Sequence, residues 1–389
     1  MQTRREFLML SAATAALAAA PAAFGLQRRP QPPSSGSEEY TGSHALRAHA
    51  EARGLLVGCA VVPEKLSSEP AYANVVASQC NLLVPENAMK WKALRPAPDK
   101  FDFRGGDAIL AFAQAHRQRV RGHNLCWHEA LPDWFAATVN KSNAREILER
   151  HIQTVAGHYS GKLHSWDVVN EAIDPASTRP DSLRSSPWLD FIGPGYIEIA
   201  FRAARKADPS ALLTYNDYSI EFDSPEQVKK RDAVLRLVKH LRSRNVPIDA
   251  IGVQSHLDAA AGLPGNGLRD FVRELHRMGL QVFVTELDIN DKKLPADIAA
   301  RDASVARIYR DYLTMMLAEP NVTALLTWGI TDRYTWLDAP KYGRADALPE
   351  RPLPFDPNYR PAPAFFAERD AIDSRPVAAP QPAPQPGRE

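Results

Sequence analysis

A chain of 389 residues exceeds a single modal domain, but a β/α barrel takes this much as one unit, and 44% hydrophobic residues suffice for its core. A formal net charge of +1 offers no overall field for gathering nucleic acid or an acidic polymer, which argues against both as partners.

The N-terminus reads as an export signal. Thr3-Arg4-Arg5-Glu6-Phe7-Leu8 has the form of a twin-arginine consensus, and an Ala-rich, weakly apolar run follows to about Leu26. Its Ala, Ser, Thr and Pro21 content makes a poor membrane span. Residues 1–26 are therefore expected to direct the protein to the periplasm or beyond, with no membrane association after cleavage. Residues 27–43 read as a Pro/Ser/Gly linker and 375–389 as a Pro-rich tail, both expected to be disordered, which leaves a folded unit at 44–374.

Within that unit, apolar runs alternate with amphipathic ones. The strand-like runs are 55–62, 81–85, 119–126, 164–170, 212–216, 250–254, 281–286 and 324–329. Helical patterns lie at 107–118, 143–159, 196–207, 225–244, 268–278 and 300–318. Pro225 follows Ser224 as a first-turn proline behind an N-cap, Ser142 and Glu146 flank another helix start, and Gly279 marks a stop. Eight such units predict a single (β/α)8 TIM barrel with right-handed crossovers. A doubly wound open sheet would need a Gly-rich phosphate turn after its first strand, and Gly58-Cys59-Ala60-Val61 is not one. Cys59, Cys80 and Cys126 sit in or beside strand-like runs and are expected to be buried and unbridged. No Cys-x-x-Cys or His-x-His pattern supports a metal centre, and no cofactor is expected.

The C-terminal ends of barrel strands carry active sites. Here they read, in order, Pro85-Glu86-Asn87-Ala88-Met89-Lys90-Trp91, then Arg121-Gly122-His123-Asn124-Leu125-Cys126-Trp127-His128, then Asn170-Glu171. Tyr215-Asn216-Asp217-Tyr218, Gln254-Ser255-His256, Glu286-Leu287-Asp288 and Trp328-Gly329-Ile330-Thr331-Asp332 follow, with Trp336 beyond. Sugars need this mixture: indole faces for ring hydrogens, and dense donors and acceptors for hydroxyls. A lone strand-end glutamate more often caps a strand or pairs with an arginine. Glu171 and Glu286 together, in this company, suggest a carboxylate pair for glycoside hydrolysis. Trp166, mid-strand, reads as core, and Trp91 as core or site.

Glu86-Asn87-Ala88-Met89-Lys90-Trp91, Arg121-Gly122-His123 with Trp127-His128, Trp166-Asp167-Val168-Val169-Asn170-Glu171, Gln254-Ser255-His256-Leu257, Val284-Thr285-Glu286-Leu287-Asp288 and Trp328-Gly329-Ile330-Thr331-Asp332 resemble the endo-xylanases of glycoside hydrolase family 10, in order over nearly the whole folded unit, and Pro352-Leu353-Pro354-Phe355-Asp356 looks like that family's closing segment. The resemblance implies a monomeric, retaining endo-1,4-β-xylanase acting on xylan and xylo-oligosaccharides without cofactor or metal. It implies Glu171 as acid/base, Glu286 as nucleophile, and Asn170 as holder of the 2-hydroxyl. Glu86, Asn87, Lys90, His123, Trp127, Gln254, Trp328 and Trp336 would line the non-reducing side, with Tyr215 and Asn216 nearby. His256 would hydrogen-bond the nucleophile and be oriented by Asp288. A cis peptide at His123–Asn124 is implied as well. Retention calls for carboxyl groups about 5–5.5 Å apart. The proton donor needs a raised pKa, for which the neighbouring Glu286 charge is the expected cause. Residues 177–194 are hard to align, so leaving-group contacts stay open. A β-1,4-glucanase on the same barrel and a non-catalytic carbohydrate-binding barrel are the alternatives.

Overall fold

The computed structural model describes residues 39–377. The export-signal stretch 1–26, linker residues 27–38 and tail residues 378–389 lie outside them. Among the described residues nine strands form: β1 (Leu56–Val61), β2 (Leu82–Pro85), β3 (Arg119–Cys126), β4 (Ser165–Asn170), β5 (Leu212–Asp217), β6 (Ala250–Val253), β7 (His256–Asp258), β8 (Gln281–Asn290) and β9 (Val322–Thr327). All pair in parallel. β1 pairs with both β2 and β9, and β6 pairs with β8, so eight strands close into a ring and the (β/α)8 expectation holds. β7 stands outside the ring. It pairs with Asp288, Ile289 and Asn290, and so carries β8 past position 286, where the apolar run ends.

The ring is filled. Ala60, Leu82, Val84, Ala250, Phe283, Ala324 and Leu326 form an inner cluster separate from the larger core under the helices. Alternation along each strand sends neighbouring residues to the other face. Trp166 is fully buried among the outer-core residues, as its mid-strand position suggested. A Cβ at Gly122 would stand 2.2 Å from the Trp166 ring, so bare backbone on β3 is what admits the indole.

The helices Arg104–Ala115, Ala144–His158, Tyr196–Ala207, Pro225–Ser243, Asn266–Arg277 and Ile298–Leu317 fall on the expected patterns. Ser224 caps as expected, its hydroxyl accepting from Gln227 N at 3.4 Å. Ser142 does not cap: its hydroxyl donates to Asn140 Oδ1 at 2.6 Å, and the helix starts at Ala144. Two expected boundaries move outward. The Tyr40 ring packs edge-on against Phe355 and Phe365, so the fold begins inside the stretch read as linker. At the other end Arg375 is buried and donates to Val322 O at 2.6 Å, tying the start of the tail to the barrel wall. The three cysteines are buried and unbridged.

Candidate active site

Register shifts interrupt the ladders of β3 with β4, β4 with β5 and β8 with β9, toward the C-terminal ends of β3, β4 and β9, with one more at the start of β8. Such irregularities re-aim side chains beside active sites. Glu171 lies at the exit of β4 with φ +57°, and His123–Asn124 in β3 is a cis peptide, as the resemblance implied.

The two glutamates meet over a chain of amides. Asn216 Nδ2 donates to Glu286 Oε1 at 2.7 Å and to Asn170 Oδ1 at 2.8 Å. Asn170 Nδ2 in turn donates to Glu171 Oε1 at 3.0 Å. Gln254 Nε2 reaches the same Glu171 oxygen at 2.9 Å, and Trp127 Nε1 donates to Glu171 Oε2 at 2.9 Å. On the other carboxylate, His256 Nε2 lies 3.3 Å from Glu286 Oε2. The His256 ring is held from behind by Asp288 Oδ1, 2.9 Å from Nδ1, and Trp336 Nε1 donates to the second Asp288 oxygen at 2.7 Å. The expected chain from Asp288 through His256 to Glu286 is therefore present.

Beside this pair, Lys90 Nζ donates to Asn87 Oδ1 at 3.0 Å, and Asn87 Nδ2 donates to Glu86 Oε1 at 3.1 Å. The ammonium stands 5.2 Å from the Trp127 ring centre and 5.7 Å from that of Trp328. His123 lies 5.4 Å from the Trp328 ring, with Nδ1 2.9 Å from Asp167 Oδ2. Asp167 is also paired with the buried Arg121, so the imidazole rests on an ion pair inside the barrel. Glu86, Asn87, Lys90, His123, Trp127, Asn170, Gln254, His256, Trp328 and Trp336 thus gather around Glu171 and Glu286.

Two expected lining residues do not line the cleft. Tyr215 faces the outer core, because strand alternation turns it away from Asn216; it is fully buried and its hydroxyl donates to Asp217. Asn216 is fully buried too, behind the glutamates, where it also accepts from Thr285 Oγ1 at 2.8 Å. It positions the pair instead of touching a ligand. Trp91 is core: its ring stacks on the buried His151 at 3.6 Å, and Nε1 donates to Leu125 O at 2.7 Å.

The carboxyl groups carry opposite electrostatic biases. Burial raises the Glu171 pKa above the usual carboxylate value, and the Asp217 charge adds to this ahead of the Glu286 charge, against the hydrogen bonds from Gln254 and Trp127. The Glu286 charge, expected as the main cause, is a minor one. Burial would raise Glu286 as well, but the His256 hydrogen bond, the charges of His123 and His256 and the Asn216 hydrogen bond bring it down to about 2. Burial alone would lower the pKa of His256; the Asp288 and Glu286 carboxylates instead raise it well above the ordinary value, which biases the ring toward its cationic form. Burial lowers the Lys90 pKa, with Glu286, Glu86 and Glu171 opposing. The site therefore presents one carboxyl biased to keep its proton and one held ionised, the arrangement that proton donation with nucleophilic attack requires. Among the described residues no cluster of His, Cys, Asp or Glu is arranged to hold a metal ion.

Asp217, Arg184, Asp167 and Arg121 also shape the site and were not singled out from sequence. Asp217 had a signal, its place at the exit of β5; Arg184, in the segment 177–194, had none.

Comparison with known proteins agrees with this geometry. The family model described as glycosyl hydrolase family 10 matches residues 45–371. Endo-1,4-beta-xylanase A of Thermoanaerobacterium saccharolyticum is 38% identical over 328 residues, covering 81% of this chain and 26% of that longer protein. Endo-1,4-beta-xylanase B of Thermotoga neapolitana is 36% identical over 338 residues, 85% of this chain and 92% of that one. Among solved structures, xylanase 10B from Thermotoga petrophila RKU-1 in complex with xylobiose superposes with a TM-score of 0.78 at 34% identity, over 86% of this chain and 98% of that chain. The chain belongs to glycosyl hydrolase family 10.

Proposed function

We propose that this protein is an endo-1,4-β-xylanase that cleaves internal linkages of xylan with retention of configuration. The observation that carries the reading is the pair of strand-end carboxyls with opposite electrostatic biases, Glu171 and Glu286, joined through Asn170 and Asn216. Relatives named as xylanases, and a structural neighbour complexed with xylobiose, support xylan as the polymer.

Each residue then has a task. An oxygen of the ionised Glu286 bonds to the anomeric carbon while the glycosidic bond breaks, and Glu171 gives its proton to the departing oxygen. Glu171, now a carboxylate, takes a proton from water; the resulting hydroxide attacks the anomeric carbon and frees Glu286. His256, biased toward its cationic form, keeps Glu286 ionised between attacks. Asn170 would hold the 2-hydroxyl, as the resemblance implies. Lys90, Asn87, Glu86, His123, Trp127, Gln254, Trp328 and Trp336 supply donors, acceptors and ring faces for the sugar on the non-reducing side.

Product analysis on xylan, cellulose and mixed-linkage glucan tests the reading. Xylo-oligosaccharides released as the β-anomer are expected. Reducing ends from cellulose but none from xylan would replace xylanase by glucanase, and an α-anomeric product would remove the retaining mechanism. Export belongs to the same proposal: replacing Arg4-Arg5 by Lys-Lys should leave the protein in the cytoplasm of an expressing bacterium, and unchanged export would remove the twin-arginine route.

A further inference from the structure

We propose that Arg184 is a positioning residue for the acid arm: its guanidinium locks the backbone that presents Glu171, so cleavage of bonds with poor leaving groups depends on it. The inference rests on Glu171 being the proton donor.

Glu171 sits in the left-handed region, where a side chain other than glycine is uncommon and the surroundings must hold the backbone. Its N–H donates to Asn216 O at 2.9 Å, which fastens one side to β5. Its carbonyl accepts from Arg184 Nε at 2.8 Å, and Arg184 Nη2 donates to Ile173 O at 3.2 Å. One fork thus holds carbonyls on both sides of Ala172. Only arginine offers donors spread across a rigid plane for such a task.

The fork itself is anchored twice. At its base, Arg184 N donates to Ala172 O at 2.7 Å and Asp174 N to Ser182 O at 3.0 Å, a short antiparallel pairing around Ile173 and Leu183. At its tip, Nη2 donates to the Tyr218 hydroxyl at 2.9 Å. Tyr218 is fixed at the exit of β5: its N–H donates to Asp217 Oδ1 at 3.0 Å, and Lys230 Nζ lies 3.7 Å from its ring centre. Lys230 and Asp217 form a buried ion pair at 2.7 Å. The strut therefore runs from the acid-bearing exit of β4 to the most deeply charged point of β5.

A residue that only stapled the loop would, on removal, depress all substrates together. A strut for the proton donor predicts selectivity, because the proton matters only where the leaving alkoxide is poor. The experiment compares Arg184→Ala and Glu171→Ala on xylan and on an aryl xylobioside with an acidic phenol. For Arg184→Ala the expected result is a fall of about 10- to 100-fold in kcat/KM on xylan, the cost of a misplaced reacting group, with kcat/KM on the aryl substrate, which reports only the first step, nearly unchanged. Equal loss on both substrates, or no loss on xylan, would overturn the proposal. Arg184→Lys keeps the charge but only a point donor, so the selective loss should persist; full recovery would show that charge alone suffices and overturn it as well. Should Arg184→Ala fail to fold, Tyr218→Phe removes only the hydroxyl anchor and should show a smaller loss with the same selectivity, equal or absent loss again overturning the strut. If Glu171→Ala does not discriminate between the substrates, the acid assignment falls and takes this inference with it. If Glu171→Ala discriminates and Arg184→Ala does not, only the strut is lost.

Discussion

Glu171 and Glu286 are the same residue at the mouth of the same barrel, yet their surroundings bias them in opposite directions. The number of hydrogen bonds does not explain this. Glu171 accepts three, from Asn170, Gln254 and Trp127, while Glu286 accepts two, from Asn216 and His256. What differs is charge. Every donor to Glu171 is neutral and the nearby Asp217 repels its ionised form, whereas His256, fixed between two carboxylates, is biased toward its cationic form. His123 adds its charge to that of His256, and in a buried site charged partners outweigh an extra neutral hydrogen bond.

The contrast can be broken from either side. Glu286→Ala removes the group that bonds to carbon, so xylan and aryl xylobiosides should fall together by more than about 10⁴-fold in initial rate. Selective survival of either substrate would reassign the nucleophile. Glu171→Ala should cost about 10²–10⁴-fold on xylan and much less on aryl substrates with acidic phenols. Azide should then rescue turnover and give a β-glycosyl azide; the same azide product from Glu286→Ala would reverse the roles.

Smaller changes sharpen the contrast. For the free enzyme, kcat/KM requires Glu286 ionised and Glu171 protonated. Activity should therefore appear as pH rises through about 2, the Glu286 value, and decline as pH passes the raised Glu171 pKa. His256→Ala removes the cation, so the acid limb should move to higher pH; an unmoved limb would show that His256 does not hold Glu286 ionised. The smallest effect separates the two negative neighbours of Glu171. Carbon NMR of labelled Glu should show its pKa falling more in Asp217→Asn than in Glu286→Gln, and the reverse order would restore Glu286 as the main charge acting on it. Asp217→Asn should also lose about 3–5 kcal/mol of stability, because it leaves the Lys230 ammonium buried without its partner.

Much of the site was legible because a barrel strand announces its own end. The runs before Glu171 and Glu286 are buried on both faces and end in the apolar Val168-Val169 and Val282-Phe283-Val284, so the polar residues that stop them mark the mouth. What escaped depended on direction or on distant partners. Tyr215 and Asn216 are adjacent, and only the phase of the pleat says which one faces the glutamates. The bias on Glu171 was assigned to Glu286, although burial and Asp217 dominate, because neither degree of burial nor a partner such as Lys230 on a following helix is written locally. Tyr40 looked like linker since the rings it meets, Phe355 and Phe365, lie more than three hundred residues away. The helices Leu46–Ala52, Pro70–Gln79 and Pro363–Ser374 were missed; the last two start at a proline, easily read as part of a loop.

The amide of Asn216 has a consequence for the ageing of the enzyme. Its Nδ2 is the one atom that donates toward both halves of the pair, to Glu286 directly and to Glu171 through Asn170. Hydrolysis of that amide to aspartate would change neither shape nor volume. It would nonetheless turn the donor into an acceptor and set a third carboxylate beside Glu286, at a fully buried position that water cannot relieve. Protein with a one-dalton gain at this residue should thus lose activity and melt at a lower temperature, and an active Asn216→Asp variant would show that the bracket tolerates the change.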